Sequence, residues 1–504
     1  MGVGFEYKNR IRFEEMNELT VALSDHISTH DMDRLNTYKE FWDFYEGYHW
    51  EKIPLNDKPQ ITKNYCRAFV DKFVAFEFGL GFVINVPVEE DDLEETPSPI
   101  TDFLNEVWEY NNRKKFCIEF GQNKAVTGDG WVQVKYEEVG SFSDPYEEFP
   151  NGRIRVLPIS SSVVFPTYDV HDKDKLESVT IMYPIEERYE SPVLRRVQYK
   201  KTVYKQIWTK DSVTVIHGNS EPKTIPNKYG VIPFVQVKNI PLANRSRGVS
   251  DLEDIIPLNV ELNLKDSDIS EIIDYHSAPV TVVFGAKVSA LEKGANKMWG
   301  GLPKDARVEN LTMNTDLGAS VGYTQSLKTA MHEIGGVPEN ALGASQPISN
   351  TSGVALQLVN MPLIERTRVK RLSSAEGMEK INKLILLIGV KEGLIEIPPH
   401  VSTRDFYINK VTFPDTLPKD YLIELQQIEV EMRLGLESRY GAMERLGRKD
   451  TKKTLEAIDS DMAENSHFYN VKQLEDDKGQ LNSGMTNGET QKEVVRKELK
   501  GENS

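Results

Sequence analysis

The chain has 504 residues, enough for two to four folding units at about 150 residues per domain. Its 61 basic and 78 acidic residues give a net charge of −17. This charge argues against a freely diffusing, sequence-specific DNA-binding protein, because such proteins usually present a basic face. Two cysteines, Cys66 and Cys117, cannot support a disulfide framework, and their scarcity fits a reducing cytosol or no dependence on redox state. The N-terminus has no apolar signal core, and the longest apolar run, Leu384–Val390, is far shorter than the roughly 20 residues that cross a bilayer. We therefore expect neither secretion nor membrane insertion.

Two helices with aromatic faces are predicted in the first 80 residues. Helical spacing relates the following large side chains: Leu35, Tyr38, Trp42 and Tyr45, and then Phe69, Phe73 and Phe76. Gly47 and Gly79 are the predicted ends of these helices. We interpret the aromatic residues as core rather than as a ligand cage.

An α+β region follows, with an exposed acidic loop at 89–99 and a further helix at 101–120. From residue 131 the apolar period changes to two, which is typical of strands. The predicted strands are 132–136, 153–159, 179–183, 201–209, 212–217 and 231–237. Their spacing and turn residues predict one antiparallel meander.

The pattern becomes helical again after Gly248. Ser250 and Glu253 resemble a capping box that opens a helix over 250–275, and Pro257 predicts a kink or a later start. The remaining predicted elements are a strand at 279–284, a helix at 319–334, a loop at 336–352, a helix at 353–388 kinked at Pro362, a strand at 405–413, an amphipathic helix through Leu425, Ile428 and Met432, and short helices after Ser438. Residues 473–504 are predicted to be disordered or marginally helical, because they lack aromatic residues.

The segment 250–275 combines eight acidic residues, one basic residue and an apolar stripe. The stripe consists of Leu252, Ile255, Ile256, Leu262, Ile269, Ile272 and Ile273. An ordinary acidic surface helix is one interpretation. A helix that packs its apolar face on another helix or subunit, and repels nucleic acid with the other face, is the second.

Catalytic and metal motifs are weak. Residues 318–322 match Gly-x-Ser-x-Gly, in which Ser320 would be the nucleophile of a hydrolase, but the preceding residues do not resemble the strand that such a turn requires. His26 and His30 lie one helical turn apart, near Asp31 and Asp33, and no further ligand is evident. We therefore expect no catalytic residue, metal or other cofactor.

The densest basic run lies within the predicted helix 353–388. It consists of Arg366, Arg368, Lys370 and Arg371. A solvated or interface helix face is the simpler interpretation, and contact with phosphate is the alternative.

The order of several segments resembles the portal proteins of tailed bacteriophages, most like those of long-tailed phages of Gram-positive bacteria. The resemblance covers residues 30–460 and is carried by the segments YKEFWDFYEGYHW, ITKNYCRAFVDKFVAFEFGLGF, NNRKKFCIEFGQNKAVTGDGWVQVKY, YGVIPFVQVKN, RGVSDLEDIIPLNVELNLKDSDIS, IGGVPENALGASQPISNTSGVALQL and FYINKVTFPDTLPKDYLIEL. No single segment is diagnostic, and the order and spacing together carry the assignment.

The resemblance implies a mainly helical α+β portal fold with an α/β wing, a helical stem, a small mixed clip and a helical crown. The implied parts are a wing at 1–248, stem helix 1 at 249–275, a clip at 276–318, stem helix 2 at 319–335, a tunnel loop at 336–352, a long kinked helix with a returning wing strand at 353–419, a crown at 420–472 and a disordered tail at 473–504. It further implies a homo-oligomeric ring, typically of twelve subunits, at one capsid vertex in the virion, assembled in the host cytoplasm.

Double-stranded DNA would pass through such a ring without sequence specificity. The implied protein partners are the terminase large subunit, the head-tail adaptor, the scaffold and the major capsid protein, with no membrane. The tunnel-loop residues expected to line the channel are Gly343, Ala344, Ser345, Gln346, Ser349, Asn350 and Thr351. The acidic stem residues expected there are Glu261, Asp266, Asp268, Glu271 and Asp274. The clip residues expected to bind partners are Lys293, Lys297, Met298, Trp299, Lys304 and Arg307.

Two other functions compete with this interpretation. One is a hydrolase that uses Ser320. The other is a different capsid connector protein, such as an adaptor or scaffold, and those are usually much shorter than this chain.

Overall fold

The computed structural model describes most of the chain, with gaps. The described residues are 23, 27–50, 59–86, 99–190, 197–218, 220–277, 280–285, 303–311, 317–343, 358–399, 401–414, 421–446 and 451–464. The predicted acidic loop at 89–99, apart from Pro99, and the predicted tail at 473–504 lie outside these ranges.

A group of eight consecutive strands, over residues 129–238, lies between mainly helical segments of the described chain. The helices are α1 (Thr29–Glu46), α2 (Tyr65–Phe78), α3 (Pro99–Tyr110), α4 (Arg113–Thr127), α5 (Ile255–Ser277), α6 (Leu317–Gly335), α7 (Met361–Lys391), α8 (Thr403–Phe406), α9 (Tyr421–Arg433), α10 (Arg439–Arg445) and α11 (Thr451–Glu464). The strands are β1 (Val83–Asn85), β2 (Asp129–Glu137), β3 (Arg153–Ile159), β4 (Val164–Tyr168), β5 (Leu176–Glu190), β6 (Val197–Thr209), β7 (Ser212–His217), β8 (Lys223–Pro226), β9 (Phe234–Lys238), β10 (Val280–Phe284), β11 (Arg307–Leu311) and β12 (Lys410–Thr412). The architecture is a mixed α+β fold, which confirms the predicted class.

The chain divides into two compact units, residues 1–416 and 417–504. In the second unit, α9, α10 and α11 carry ion pairs of their own, such as Arg445 with Glu431 at 2.6 Å and Arg439 with Asp459 at 2.9 Å. The amphipathic helix predicted through Ile428 is α9, in which Ile428 is buried. The short helices predicted after Ser438 are α10 and α11.

The two N-terminal helices form as predicted. The left-handed backbone of Gly47, with φ of 100°, ends α1, and α2 ends at Phe78. Trp42, Phe69 and Phe73 are buried in one cluster, so the aromatic residues are core. Phe69 and Phe73 are fully buried, which places α2 at the centre of the unit.

The predicted helix at 101–120 is two helices. Asn112 adopts a left-handed backbone with φ of 55° and caps α4 by accepting a hydrogen bond from the Lys115 backbone N–H at 3.2 Å. Asparagine tolerates this conformation better than most residues, so the chain turns between α3 and α4.

The strands form separate sheets rather than one meander. β4 to β8 make a five-stranded antiparallel sheet in sequence order, in which β5, β6 and β7 were predicted and the two edge strands, β4 and β8, were not. The strand predicted at the end of that meander, β9, instead pairs with β2, in a three-stranded sheet of order β3-β2-β9. β9 joins β2 because Val235 and Val237 are buried in the same core as Val132 and Val134.

Both prolines that were expected to kink helices lie at helix starts. Pro257 is the third residue of α5 and Pro362 is the second residue of α7. In the first turn of a helix, the N–H that proline lacks would have no hydrogen-bond partner within the helix. For α5, the later start is thus correct and the kink is wrong. Ser250 forms no capping box with Glu253, because Ser250 precedes the first residue of α5 by five positions. Its hydroxyl accepts from the Leu252 N–H at 3.0 Å and donates to the Val126 carbonyl at 2.6 Å.

The predicted strand at 405–413 is only β12, and the short helix α8 precedes it. The Ser402 hydroxyl caps α8 by accepting from the Asp405 N–H at 3.2 Å, and it donates to the Asp405 carboxylate at 2.6 Å. This capping competes with an extended backbone. β12 then pairs with β1 in a two-stranded sheet.

Candidate functional site

Two helices that lie side by side leave the body of the first unit and return to it. α5 leads to β10, β10 pairs with β11, and α6 leads back. We call residues 255–335 the arm. Its strand at 280–284 and its helix at 317–335 agree with the elements predicted there.

Burial within the arm falls from the body outwards. Leu262 on α5 and Met331 on α6 are buried in one cluster with the aromatic residues of α2. Farther out, Ile273 is 49% exposed, Val321 55% and Tyr323 47%. The predicted apolar stripe is therefore covered only in its first half. The outer half presents apolar groups that are unusual on a solvated helix.

A ladder of small polar residues anchors the inner half of α5. Asn259, Asn263 and Ser267 recur every four residues and are almost fully buried. Asn259 accepts from the Tyr65 N–H at 3.1 Å and donates to the Lys63 carbonyl at 2.8 Å, and Asn263 accepts from the Lys63 N–H at 3.0 Å. The ladder thus supplies the backbone groups of 61–65 with the hydrogen-bond partners that a neighbouring strand would otherwise supply. Sequence reasoning missed it, although the spacing of four on one helix face was a usable signal.

His49 continues this ladder toward α1. Its Nδ1 lies 2.7 Å from Asn263 Nδ2, and its Nε2 lies 2.9 Å from the Phe44 carbonyl oxygen. Because the amide nitrogen donates and the carbonyl accepts, the imidazole is neutral with its proton on Nε2. Burial lowers the pKa of His49 below its ordinary value, which agrees with that assignment.

The segment before α5 is fixed by buried charges. Lys370 on α7 pairs with Asp251, and both side chains are fully buried. Arg366, one turn earlier, reaches Asp251 at 3.4 Å and also donates to the Ile334 and Gly335 carbonyls at 3.3 Å. These cations therefore hold the entry of α5, the end of α6 and the start of α7 together.

A second contact fixes the same segment to β2. The carboxylate of Asp129 accepts from the Gly248 N–H and from Gln236 Nε2, each at 3.0 Å. Burial raises the pKa of Asp129 to about 6, while these hydrogen bonds act to lower it. Gly248 is required because a Cβ there would lie 2.3 Å from the Gly128 carbonyl oxygen.

Comparison with known protein families identifies the family to which this chain belongs. Residues 24–467 match the model of the family described as phage portal protein, SPP1 Gp6-like. The chain belongs to that family of phage portal proteins. No curated protein sequence matches it. The match extends slightly beyond the residues 30–460 on which the resemblance was based, and it confirms the predicted family. Portal proteins are structural components of phage capsids that serve DNA packaging, so the family assignment does not favour an enzyme.

The acidic residues predicted to line the portal channel lie in different surroundings on α5. Asp266 pairs with Lys63 at 2.7 Å, which places it on the body side. Glu261 and Asp268 both lie near Lys265, at 3.6 and 3.5 Å. Glu271 and Asp274 are exposed at the outer end.

The predicted partner-binding residues of the portal clip are only partly described. Lys304 and Arg307 are exposed, and Arg307 pairs with Glu309 at 2.6 Å across alternate residues of β11. Four of the predicted clip residues lie outside the described residues: Lys293, Lys297, Met298 and Trp299.

The predicted tunnel loop at 336–352 is described only at its start. Residues 339–342 form a 3-10 turn that ends at Gly343, whose φ of 94° suits glycine, and Gly343 is exposed. The other predicted loop residues lie outside the described residues: Ala344, Ser345, Gln346, Ser349, Asn350 and Thr351.

Ser320 is the fourth residue of α6, not the apex of a turn between a strand and a helix. This helical position does not favour a nucleophile. No metal-binding cluster of histidine, cysteine or carboxylate side chains occurs among the described residues, a set that excludes His26. No described helix is both long and apolar enough to cross a membrane.

The basic run was misread. Lys370 is buried against Asp251, and Arg371 donates to the Pro414 carbonyl at 2.7 Å and to the Phe76 carbonyl at 2.9 Å. With Arg366 also bound internally, only Arg368 is exposed. Three of the four cations in the run therefore bind groups of the same chain, so the run is neither a solvated face nor a phosphate site.

Proposed function

We propose that the chain assembles into a closed ring and that double-stranded DNA passes through its axis during packaging and ejection. Family membership supports this proposal, and one observation carries it: the outer half of the arm exposes apolar side chains on both helices. Ile273, Val321 and Tyr323 would be covered by the arm of a neighbouring copy. A ring of this kind needs two different patches on each subunit, so that every contact is heterologous.

The β10–β11 ribbon supports the same proposal. Its two strands pair with each other, and no further strand joins them among the described residues. An isolated two-stranded ribbon is marginally stable in water. Phe284 is 51% exposed and Val308 44%, so the ribbon carries apolar surface that a partner would cover. We propose that the terminase large subunit and the head-tail adaptor dock here in turn.

The exposed clip residues Lys304 and Arg307, with Lys293, Lys297, Met298 and Trp299 from the same segment, form the proposed docking surface. Trp299→Ala is the test, because large aromatic residues dominate such interfaces. It should weaken binding of terminase or adaptor in a pull-down while rings still form. Unchanged binding would count against docking by the clip.

The acidic residues of α5 support a proposed channel surface that does not bind DNA tightly. Glu271 and Asp274 are exposed at the outer end of the arm, and Glu261 and Asp268 lie further in beside Lys265. Asp266 is the least available of the five, since Lys63 already pairs with it. Carboxylates repel the DNA backbone and would let it slide. The double substitution Glu271→Lys with Asp274→Lys should slow packaging at low salt and recover at higher salt, because phosphate contacts are screened.

In this account the ring occupies one vertex of the capsid in the virion. It is assembled in the host cytoplasm with the scaffold and the major capsid protein, and twelve is the expected number of subunits. A hydrolase that uses Ser320 is the weaker candidate, because Ser320 lies within a helix. Labelling with an activity-based serine probe, with Ser320→Ala as the control, would reveal such an activity.

A further inference from the structure

The strand β9 has an open edge that faces a groove. It lies at the end of the sheet β3-β2-β9 among the described residues. The Asn239 N–H donates to the Gly128 carbonyl at 2.8 Å, and the Val134 N–H donates to the Pro233 carbonyl at 3.0 Å. Antiparallel register therefore directs the backbone groups of Val235 and Val237 to β2. The backbone groups of Phe234 and Gln236 point to the open edge, which ends at Lys238, because the Lys238 carbonyl accepts a hydrogen bond from the Ser373 hydroxyl of α7 at 2.6 Å.

The groove beside this edge has a volume of about 810 Å³. All five residues of β9 line one wall, and α7 forms the other with Val369, Leu372, Leu384 and Leu387. Leu372 is 69% exposed and Val369 42%, which is costly for large apolar side chains on a helix. A strand edge beside an apolar helix face is the arrangement that binds an extended peptide by strand addition.

The N-terminal segment of the chain has a matching pattern. Between residues 3 and 13, every odd position but Asn9 is apolar or aromatic: Val3, Phe5, Tyr7, Ile11 and Phe13. The even positions from 6 to 14 are all charged: Glu6, Lys8, Arg10, Arg12 and Glu14. Strict alternation over this length is typical of a strand with one buried face.

The chain enters the described core close to the groove. Leu23 is fully buried in a cluster that contains Phe234, and Leu176 and Ile232 pack against the same cluster. Phe234, Leu176 and Ile232 also line the groove. The ten steps from Phe13 to Leu23 span up to about 33 Å when extended, about twice the length of a five-residue strand. The segment can therefore reach the groove of its own chain.

We propose that residues 3–13 add to the open edge of β9 as an antiparallel strand within the same chain. The odd-numbered side chains pack on the α7 wall of the groove, and the charged even-numbered side chains face solvent. The direction follows from the entry point, since Phe13 lies nearest to Leu23 and hence to the Phe234 end of β9. This strand would extend the sheet β3-β2-β9 by one strand and cover Leu372. The proposal is independent of the ring.

Amide hydrogen exchange with residue-level fragmentation tests the proposal in the full chain. The Phe234 and Gln236 amides should exchange at least tenfold more slowly in the full chain than in a variant that lacks residues 2–13. The Val235 and Val237 amides, which bond to β2, should stay slow in both and report that the sheet is folded. Equal exchange at Phe234 and Gln236 in the two proteins would overturn the proposal.

Matched point variants separate strand addition from a general effect of the N-terminus. Phe5→Asp with Ile11→Asp changes the face toward the groove and should release the Phe234 and Gln236 amides. Lys8→Ser with Arg10→Ser changes the solvent face and should leave them protected. Loss of protection in both pairs would contradict the proposed register.

Cross-linking decides which chain supplies the strand. Amine cross-links from Lys8 to Lys380 or Lys383 should join residues of one chain when light and heavy isotopic copies are mixed before ring assembly. Cross-links between light and heavy copies would overturn the assignment to the same chain.

Discussion

Lys370 and Asp251 form an ion pair in which both side chains are fully buried. The pair joins the middle of α7 to the segment that leads into α5, and the ammonium also lies 4.3 Å from the centre of the Phe73 ring. Since Arg366 reaches the same carboxylate and the end of α6, this carboxylate joins α7 to both helices of the arm.

Lys370→Ala should destabilise the protein by about 3–5 kcal/mol, because it leaves the buried Asp251 carboxylate without its nearest cation. Arg368→Ala is the matched control on the same helix, since Arg368 is exposed, and it should change stability by less than about 0.5 kcal/mol. Urea denaturation of both variants measures the difference. Equal urea midpoints for the two variants would show that the Lys370–Asp251 ion pair contributes little to the stability of the fold.

Stability should fall in mild acid because of His49. Its folded pKa is lowered, so the unfolded chain binds more protons between that value and the ordinary pKa of about 6.5. The stabilisation is therefore present above about pH 6.5 and is lost as pH falls toward the folded pKa. The thermal midpoint of wild type relative to His49→Gln should decrease over this window. A difference in thermal midpoint between the two proteins that does not change with pH would contradict a neutral, buried imidazole at His49.

The outer arm should be the contact between copies. Ile273→Asp and Val321→Asp should each convert rings to monomers or open oligomers in size-exclusion chromatography with light scattering. The matched control is Val170→Asp, because Val170 is 87% exposed and lies in the turn between β4 and β5, away from the arm. Rings that survive both arm substitutions would place the subunit contact elsewhere.

The sequence predicted most elements of the fold, and the errors have local physical causes. Periodicity located α1, α2, α6 and the strands β5, β6 and β7 of the five-stranded sheet, but it missed the edge strands β4 and β8. It could not place β9 beside β2, since pairing between distant strands is decided by shared core residues such as Val237 and Val132. It predicted a kink at Pro362, whereas a turn at Asn360 separates the helical residues 358 and 359 from α7, of which Pro362 is the second residue.

The candidate site was predictable in outline and not in its contacts. Acidic and apolar residues of α5 indicated an interface helix, but the sequence did not show that Asp266 pairs with Lys63. The basic run of α7 was misread because its partner, Asp251, lies 119 residues away from Lys370 in the chain. Such pairs depend on tertiary contacts that no local pattern encodes.

The loop at 336–352 should touch DNA in the channel. Its residues from 343 to 352 carry no charge and, apart from Ile348, are small or polar, so contacts with phosphate would be shallow. Removing residues 345–349 should leave ring assembly intact and impair either packaging or the retention of packaged DNA, measured as nuclease-protected DNA. If assembly, packaging and retention are all normal, the loop is only a linker.

Single-particle electron microscopy of the purified chain shows directly whether it forms a ring. Closed rings are expected, about twelve copies in each, with the arms packed against one another around an axial channel wide enough for double-stranded DNA. Particles that remain single copies at micromolar concentration, and that also fail to form rings when expressed with the capsid and scaffold proteins, would contradict the proposed ring.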